Sequence, residues 1–165
     1  MRKKELGDLA ERIVKNYFKS KGSTVEMSID PFDQTMDMLI DGLRTEVKFQ
    51  TIYYYFKSYD QEKPYPAFTV PVTTCQYKVA QNQLDKCLNA DRWIIVQNPS
   101  ERLNEKTVKI WEAPPLGQRR FKLIRNNKDG RVTAGFPMSA FNLLVDIDHK
   151  PIYNKIKQLN FSTFS

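Results

Sequence analysis

The chain has 165 residues, of which 41% are hydrophobic and 27% charged, a composition typical of one globular domain. No apolar run approaches the roughly 20 residues of a membrane-spanning helix, and no signal-peptide segment follows the basic start, so we expect a cytoplasmic protein without a membrane partner. The net charge of +7 is unevenly distributed, since residues 23–100 are acidic on balance and the flanking segments are basic. This distribution is typical of a protein that binds a polyanion around an acidic, cation-binding centre, and equally of a basic protein with a solvated surface.

The first half of the chain predicts a helix followed by three strands. Apolar residues recur at three- and four-residue spacings over 4–20, which predicts a helix that ends at Lys21-Gly22. The Asp41-Gly42 dipeptide predicts a tight turn between the second and third strands, so the strands should form an antiparallel meander. These predicted strands cover Thr24–Ser28, Met36–Ile40 and Leu43–Thr51.

The second half predicts a further helix and several more strands. Ile52–Pro71 is rich in aromatic residues and prolines, and we interpret it as a strand extension leading into a long loop. Thr73–Ala90 has the apolar spacing of a helix that begins at Thr73 or Thr74. The remaining predicted elements are strands at Trp93–Val96 and Val108–Trp111, a hairpin of Phe121–Ile124 and Arg131–Phe136, a short helix at Ser139–Leu144, and a polar tail over 150–165.

This order of elements predicts an α/β domain in which helices flank a mixed central β-sheet. The core would contain a helix, three strands, a helix and a strand over about residues 5–96. Residues 97–165 would add a C-terminal β-hairpin extension, and the whole chain, 1–165, would form a single domain.

Polar residues follow one face of the third predicted strand. Glu46, Lys48 and Gln50 share this face because side chains alternate along a strand, and the residues between them are apolar. Asp37 lies on the preceding strand, and pairing across the turn should bring it beside Glu46. Two carboxylates so placed can share a divalent cation that activates water, while Lys48 can orient that water or offset developing charge. The alternative is a solvated edge strand.

A third carboxylate is expected from the first helix. Glu11 lies at the border of the apolar stripe, from where it can reach over the sheet edge toward Asp37 and Glu46. Glu5 is the competing residue, but it shares the solvent face of the helix with Asp8. Glu11 is therefore the expected fourth member of the site.

The helix with Glu11, the strand with Asp37, and the Glu46-Val47-Lys48 triplet, followed by a helix and a strand, resemble the PD-(D/E)xK nuclease superfamily with its restriction-endonuclease-like fold. The resemblance implies a magnesium-dependent DNA endonuclease of homing, restriction or Holliday-junction-resolving type, in which manganese can replace magnesium. It implies that Asp37 and Glu46 bind the metal, that Glu11 assists, that Lys48 supports the nucleophile, and that Gln50 is accessory. The alternative is a catalytically inactive nucleic-acid-binding module of the same fold.

Two other features bear on function. Asp148-His149-Lys150 also fits the D/E-x-K pattern, but it lacks the surrounding elements and is interpreted as surface charge. Gln83 and the other glutamines of the second helix are likewise interpreted as surface residues. Basic residues that can contact DNA phosphates, or form a solvated hairpin instead, are Arg119, Arg120, Lys122, Arg125, Lys128 and Arg131. Because cutting both DNA strands needs two sites, we expect a homodimer or a higher homo-oligomer.

Overall fold

The computed structural model describes residues 3–28, 37–50, 54–56, 65–72, 81–98, 107–125 and 130–148. These residues include two α-helices, α1 (Lys3–Ser20) and α2 (Gln81–Asn89), and a 3₁₀ turn at Met138–Ala140. The strands among them are β1 (Val25–Met27), β2 (Met38–Ile40), β3 (Leu43–Gln50), β4 (Tyr54–Phe56), β5 (Tyr65–Pro71), β6 (Arg92–Gln97), β7 (Thr107–Glu112), β8 (Lys122–Arg125), β9 (Val132–Pro137) and β10 (Asn142–Asp148). In this part of the chain, no helix is long and apolar enough to cross a membrane.

A mixed central sheet has the strand order β1-β2-β3-β6-β7-β10. Its neighbouring strands are antiparallel except β3 and β6, which run parallel with Glu46 opposite Trp93. Parallel neighbours need a long connection, and α2 lies within it, as the sequence predicts. The predicted α/β class, with a mixed sheet and two helices, is confirmed, although most of the elements described are strands.

The turn between β2 and β3 brings the second and third strands into register. Ile40 pairs with Leu43, and both intervening residues have positive φ, 50° at Asp41 and 80° at Gly42, which matches the right-handed twist of a hairpin. The Asp41 carboxylate also accepts a hydrogen bond from the Thr24 N–H at 2.9 Å. This bond fixes the start of β1 to the turn. The antiparallel pairing of β1 with β2 and of β2 with β3 confirms the predicted meander.

A second sheet, with the order β4-β5-β9-β8, corrects the interpretation of two segments. Ile52–Pro71 is not simply a strand extension and a loop, because β5 pairs with both β4 and β9. Prolines at both ends of β5 obscure this strand, since proline cannot donate to a sheet ladder. The predicted helix at Ser139–Leu144 is also wrong: after the 3₁₀ turn, Asn142–Asp148 pairs with β7.

The central sheet separates two hydrophobic clusters, one on each face. α1 covers one face, where Val47 of β3 is buried and Phe49 is packed against the cluster. The second sheet and α2 cover the other face. Alternate residues of β6 supply both clusters, and each buried aliphatic side chain contributes about 1.5–3 kcal/mol relative to exposure. The polar residues of β3 therefore lie on the face opposite α1, toward α2 and the second sheet.

The C-terminal half completes both sheets. The predicted β8–β9 hairpin is present, and β9 also pairs with β5. β7 and β10 extend the central sheet beyond β6. The predicted cap at Thr73 or Thr74, and the tail over 150–165, lie outside the described residues.

Candidate active site

Main-chain hydrogen bonds place Asp37 beside Glu46. The Asp37 N–H donates to the Thr45 carbonyl oxygen at 3.2 Å, and Asp37 Oδ2 accepts from the Val47 N–H at 2.8 Å. Asp37 is therefore bonded to both residues that flank Glu46 in β3. Pairing across the Asp41-Gly42 turn fixes this arrangement, so the structure places the two residues side by side, and the charge of Asp37 acts on Glu46.

The Glu46 carboxylate is buried and only partly satisfied. The residue is 2% exposed, and its Oε1 lies 3.1 Å from Lys48 Nζ. Its Oε2 has no hydrogen-bond partner within the described part of the chain. An unsatisfied buried acceptor is costly, and such a group in a native protein calls for an explanation such as an ion. This oxygen is the best-placed ligand atom in the site for a cation.

Burial, and after it the charges of neighbouring carboxyl groups, disfavours ionisation of Glu46 and Glu11. Burial, followed by the charge of Asp37, raises the pKa of Glu46 to about 7, although Lys48 and Lys86 act in the opposite direction. Burial, followed by the charges of Asp37 and Asp8, raises the pKa of Glu11 to about 7. A hydrogen bond between the Glu11 and Asp37 side chains contributes to this rise. Glu11, Asp37 and Glu46 thus form one group of interacting acids, whose repulsion a bound cation would relieve.

Lys48 is held between β3 and α2. Its Nζ forms the ion pair with Glu46 and donates a hydrogen bond to Gln83 Oε1. Burial opposes the lysine charge, but the carboxylate of Glu46, with Cys87 and Asp37, outweighs burial and raises the pKa of Lys48. Lys48 therefore stays protonated and oriented at neutral pH.

Gln83 is a site residue that the sequence analysis missed. The interpretation of Gln83 as a surface residue is wrong, because it is half-buried and contacts Lys48. A signal was present: Gln83 precedes the buried Cys87 by four residues, so both lie on the same face of α2. Because Gln83 and Lys48 lie far apart in the sequence, no local pattern indicated that their side chains would be in contact.

Gln50 connects the strand of the site to the second sheet. Its Oε1 accepts a hydrogen bond from the Thr69 N–H of β5 at 3.1 Å. Its backbone carbonyl accepts from the Asn98 N–H at 3.3 Å, just beyond β6. The second sheet is thereby anchored two residues from Lys48.

The donor set fits a hard divalent cation that shares its coordination with water and substrate. No group of three or more His, Cys, Asp or Glu side chains among the described residues is arranged to hold a metal ion by itself. Magnesium sites in phosphoryl-transfer enzymes, however, usually take one or two protein carboxylates, with phosphate and water oxygens as the other ligands. Asp37 and Glu46 supply two carboxylates, and the unpartnered Glu46 Oε2 provides an available oxygen.

The basic hairpin residues fall into two kinds. Arg119 does not belong to an exposed basic surface, because it is 6% exposed and its guanidinium donates hydrogen bonds to backbone carbonyl groups. We correct its expected role in DNA binding on that ground. Lys128 lies outside the described residues. The other four side chains are exposed, namely Arg120, Lys122, Arg125 and Arg131.

Asp148, the first residue of the second D/E-x-K triplet, lies at the opposite edge of the central sheet from β1. Asp148 ends β10, where it pairs with Thr107, and two strands separate β10 from β3. His149 and Lys150 lie outside the described residues. Position in the sheet thus separates Asp148 from the site on β3.

No protein-family model matches the chain, and no curated protein or solved structure matches it either. The likeness to the PD-(D/E)xK superfamily accordingly rests on the motif and on the order of elements around it. The geometry of the site stands independently of that likeness.

Proposed function

We propose that the chain is a magnesium-dependent DNA endonuclease that hydrolyses phosphodiester bonds at Asp37, Glu46 and Lys48. One observation carries the proposal: the buried Glu46 carboxylate, crowded by Asp37 and Glu11, has an oxygen without a hydrogen-bond partner among the described residues. A buried carboxylate oxygen without a partner would destabilise a strand that had only a structural role. A bound cation would satisfy that oxygen.

Each side chain has a distinct part in the proposed reaction. Asp37 and Glu46 would hold the magnesium ion, which when bound polarises the phosphate and lowers the pKa of a coordinated water. Lys48, charged and held by Glu46 and Gln83, is placed to orient a water molecule or to balance charge that develops on the phosphate. Glu11, through its hydrogen bond to Asp37, would fix the orientation of that carboxyl group.

The exposed basic hairpin supports a nucleic-acid substrate. Neighbouring strands lie about 4.8 Å apart, so β8 lies about 10 Å from β5, the strand that Gln50 binds. We propose that a DNA duplex whose phosphate lies at Lys48 extends over the second sheet to this hairpin. Its four exposed cations would bind phosphates and release counterions. We further propose a homo-oligomer, because two symmetric copies supply one site for each DNA strand.

Incubation of the protein with plasmid, four-way-junction and single-stranded DNA tests the proposal. Parallel reactions contain magnesium, manganese, calcium or EDTA. We expect cleavage with magnesium or manganese and binding without cleavage with calcium, whose looser coordination positions water poorly. Binding of DNA without cleavage in any metal would favour the inactive binding module, and absence of binding at low salt would contradict both functions.

A further inference from the structure

Arg119 is a buried cation, and three of its four hydrogen bonds go to the C-terminal end of α2 and the residues just after it. Its Nη1 donates to the carbonyl oxygens of Cys87 at 2.6 Å and Ala90 at 2.7 Å. Its Nη2 donates to the Asp91 carbonyl at 3.4 Å, and its Nε donates to the Pro114 carbonyl at 2.9 Å. The guanidinium thus joins the segment after β7 to the C-terminal end of α2.

These bonds satisfy groups that a helix leaves unpaired. The last carbonyl groups of an α-helix lack partners within it and carry partial negative charge. A planar guanidinium, with donors fixed in a fork, can serve several of them at once, which a lysine ammonium does less well. Arg119 therefore fixes the end of α2 in place as well as capping it.

The turn of α2 that Arg119 holds directly follows the turn that presents Gln83 to Lys48. Cys87, whose carbonyl accepts from Arg119, lies one helical turn after Gln83. Cys87 itself is completely buried and close enough to Lys48 to influence its pKa. Most of the stability of a helix in a protein comes from packing of its apolar face, and α2 packs Leu84 and Cys87 into the second hydrophobic cluster.

We infer that Arg119 is a positioning residue, which fixes α2 so that Gln83 holds the Lys48 ammonium beside Glu46. The inference rests on the proposed function for its effect on cleavage. Two hydrogen bonds transmit the effect, from Arg119 to the Cys87 carbonyl and from Lys48 to Gln83. The sequence analysis predicted that Arg119 contacts DNA phosphates. In this inference it is instead a buried residue that positions Lys48 through α2.

A double-mutant cycle separates this role from general stabilisation. Arg119→Lys keeps the charge but loses the planar set of donors, and Gln83→Leu removes the contact with Lys48. Gln118→Leu is the matched control, because it makes the same substitution at an exposed neighbour of Arg119. We expect Arg119→Lys and Gln83→Leu each to lower kcat roughly 10-fold with little change in KM, the scale of a supporting hydrogen bond to a site. The double variant should be no slower than the slower single variant.

The contrary results are equally definite. A double variant slowed by the product of the two single effects would show that Arg119 does not act through Gln83. A lower melting temperature for Arg119→Lys, with unchanged kcat well below that temperature, would leave it a purely stabilising residue. Full kcat in Gln83→Leu would also overturn the inference, and this result does not depend on whether an Arg119 variant folds.

A readout without catalysis distinguishes failure of the inference from failure of the proposed function. The side-chain ¹⁵N signal of Lys48, assigned with Lys48→Arg, reports the surroundings of the ammonium group. Arg119→Lys and Gln83→Leu should shift it in the same direction, and Gln118→Leu should leave it unchanged. An unshifted signal in folded Arg119→Lys overturns the inference even if the protein cleaves DNA, whereas shifted signals in a protein without nuclease activity would overturn only the proposed function.

Discussion

Glu46→Gln should make the metal-free protein more stable while it removes the proposed activity. Glu46 is 2% exposed, and burial together with the charge of Asp37 raises its pKa from 4.5 to about 7. Glutamine has nearly the same size as glutamate but carries no charge. The substitution should therefore relieve the repulsion that a bound cation would otherwise relieve.

The magnitude follows from the pKa. One pKa unit corresponds to about 1.4 kcal/mol, so a rise from 4.5 to about 7 makes ionised Glu46 cost at most about 3 kcal/mol at pH 8. Because the pKa is raised, the folded protein binds more protons than the unfolded chain between pH 4.5 and 7. The free energy of unfolding of the wild type should therefore decrease as the pH rises through this window. In Glu46→Gln, the part of this decrease that comes from ionisation of Glu46 should be absent.

Urea unfolding in EDTA at pH 5 and pH 8 measures the effect. The free energy of unfolding of Glu46→Gln should exceed that of the wild type by up to about 3 kcal/mol at pH 8 and by less than about 1 kcal/mol at pH 5. Glu26→Gln, at an exposed position of β1, is the matched control and should change little. Equal or lower stability of Glu46→Gln at pH 8 would refute the reasoning, because it would show that the folded protein satisfies the Glu46 charge without a cation.

Three further predictions concern the other groups of the site and the hairpin. Asp37→Asn should abolish cleavage in magnesium but keep or tighten DNA binding in EDTA, measured by gel shift, because a charge that repels phosphate in the absence of metal is removed; parallel loss of binding would make Asp37 structural. Glu11→Gln should lower the cleavage rate about 10–100-fold, whereas Glu5→Gln should hardly change it. A larger loss of rate in Glu5→Gln than in Glu11→Gln would show that Glu5, and not Glu11, belongs to the site. Three exposed cations of the hairpin can be replaced with serine together, namely Arg120, Lys122 and Arg125. The triple variant should reduce the slope of DNA affinity against salt concentration by up to about three counterions, and an unchanged slope would show that the hairpin does not contact DNA.

The elements that could be predicted from the sequence are those set by local patterns. The apolar spacing of α1 and the two positive-φ residues of the Asp41-Gly42 turn are properties of adjacent residues, and both predictions are confirmed. The alternation along β3 likewise separated Glu46 and Lys48 from the apolar face. Asp37 could be expected near Glu46 because pairing across the Asp41-Gly42 turn brings the two strands side by side, whereas the register of that pairing came from the structure.

The features that were missed depend on contacts between distant parts of the chain. β5 contains prolines yet forms a strand because β4 and β9 pair with it on either side. Arg119 has the same charge and nearly the same sequence position as Arg120, and only the end of α2 distinguishes the buried residue from the exposed one. Gln83 meets Lys48 through the crossover between β3 and β6, which determines how α2 lies over the sheet.

The most direct test of the central claim is the conversion of supercoiled plasmid by the wild type and by Glu46→Gln across a magnesium titration. DNA binding by both proteins is measured in parallel by gel shift. The account predicts that the wild type nicks or linearises the plasmid only when magnesium is present, and that Glu46→Gln binds the same DNA without cutting it at any magnesium concentration. Equal cleavage by the two proteins, or cleavage by the wild type in EDTA, would contradict a magnesium-dependent site at Glu46.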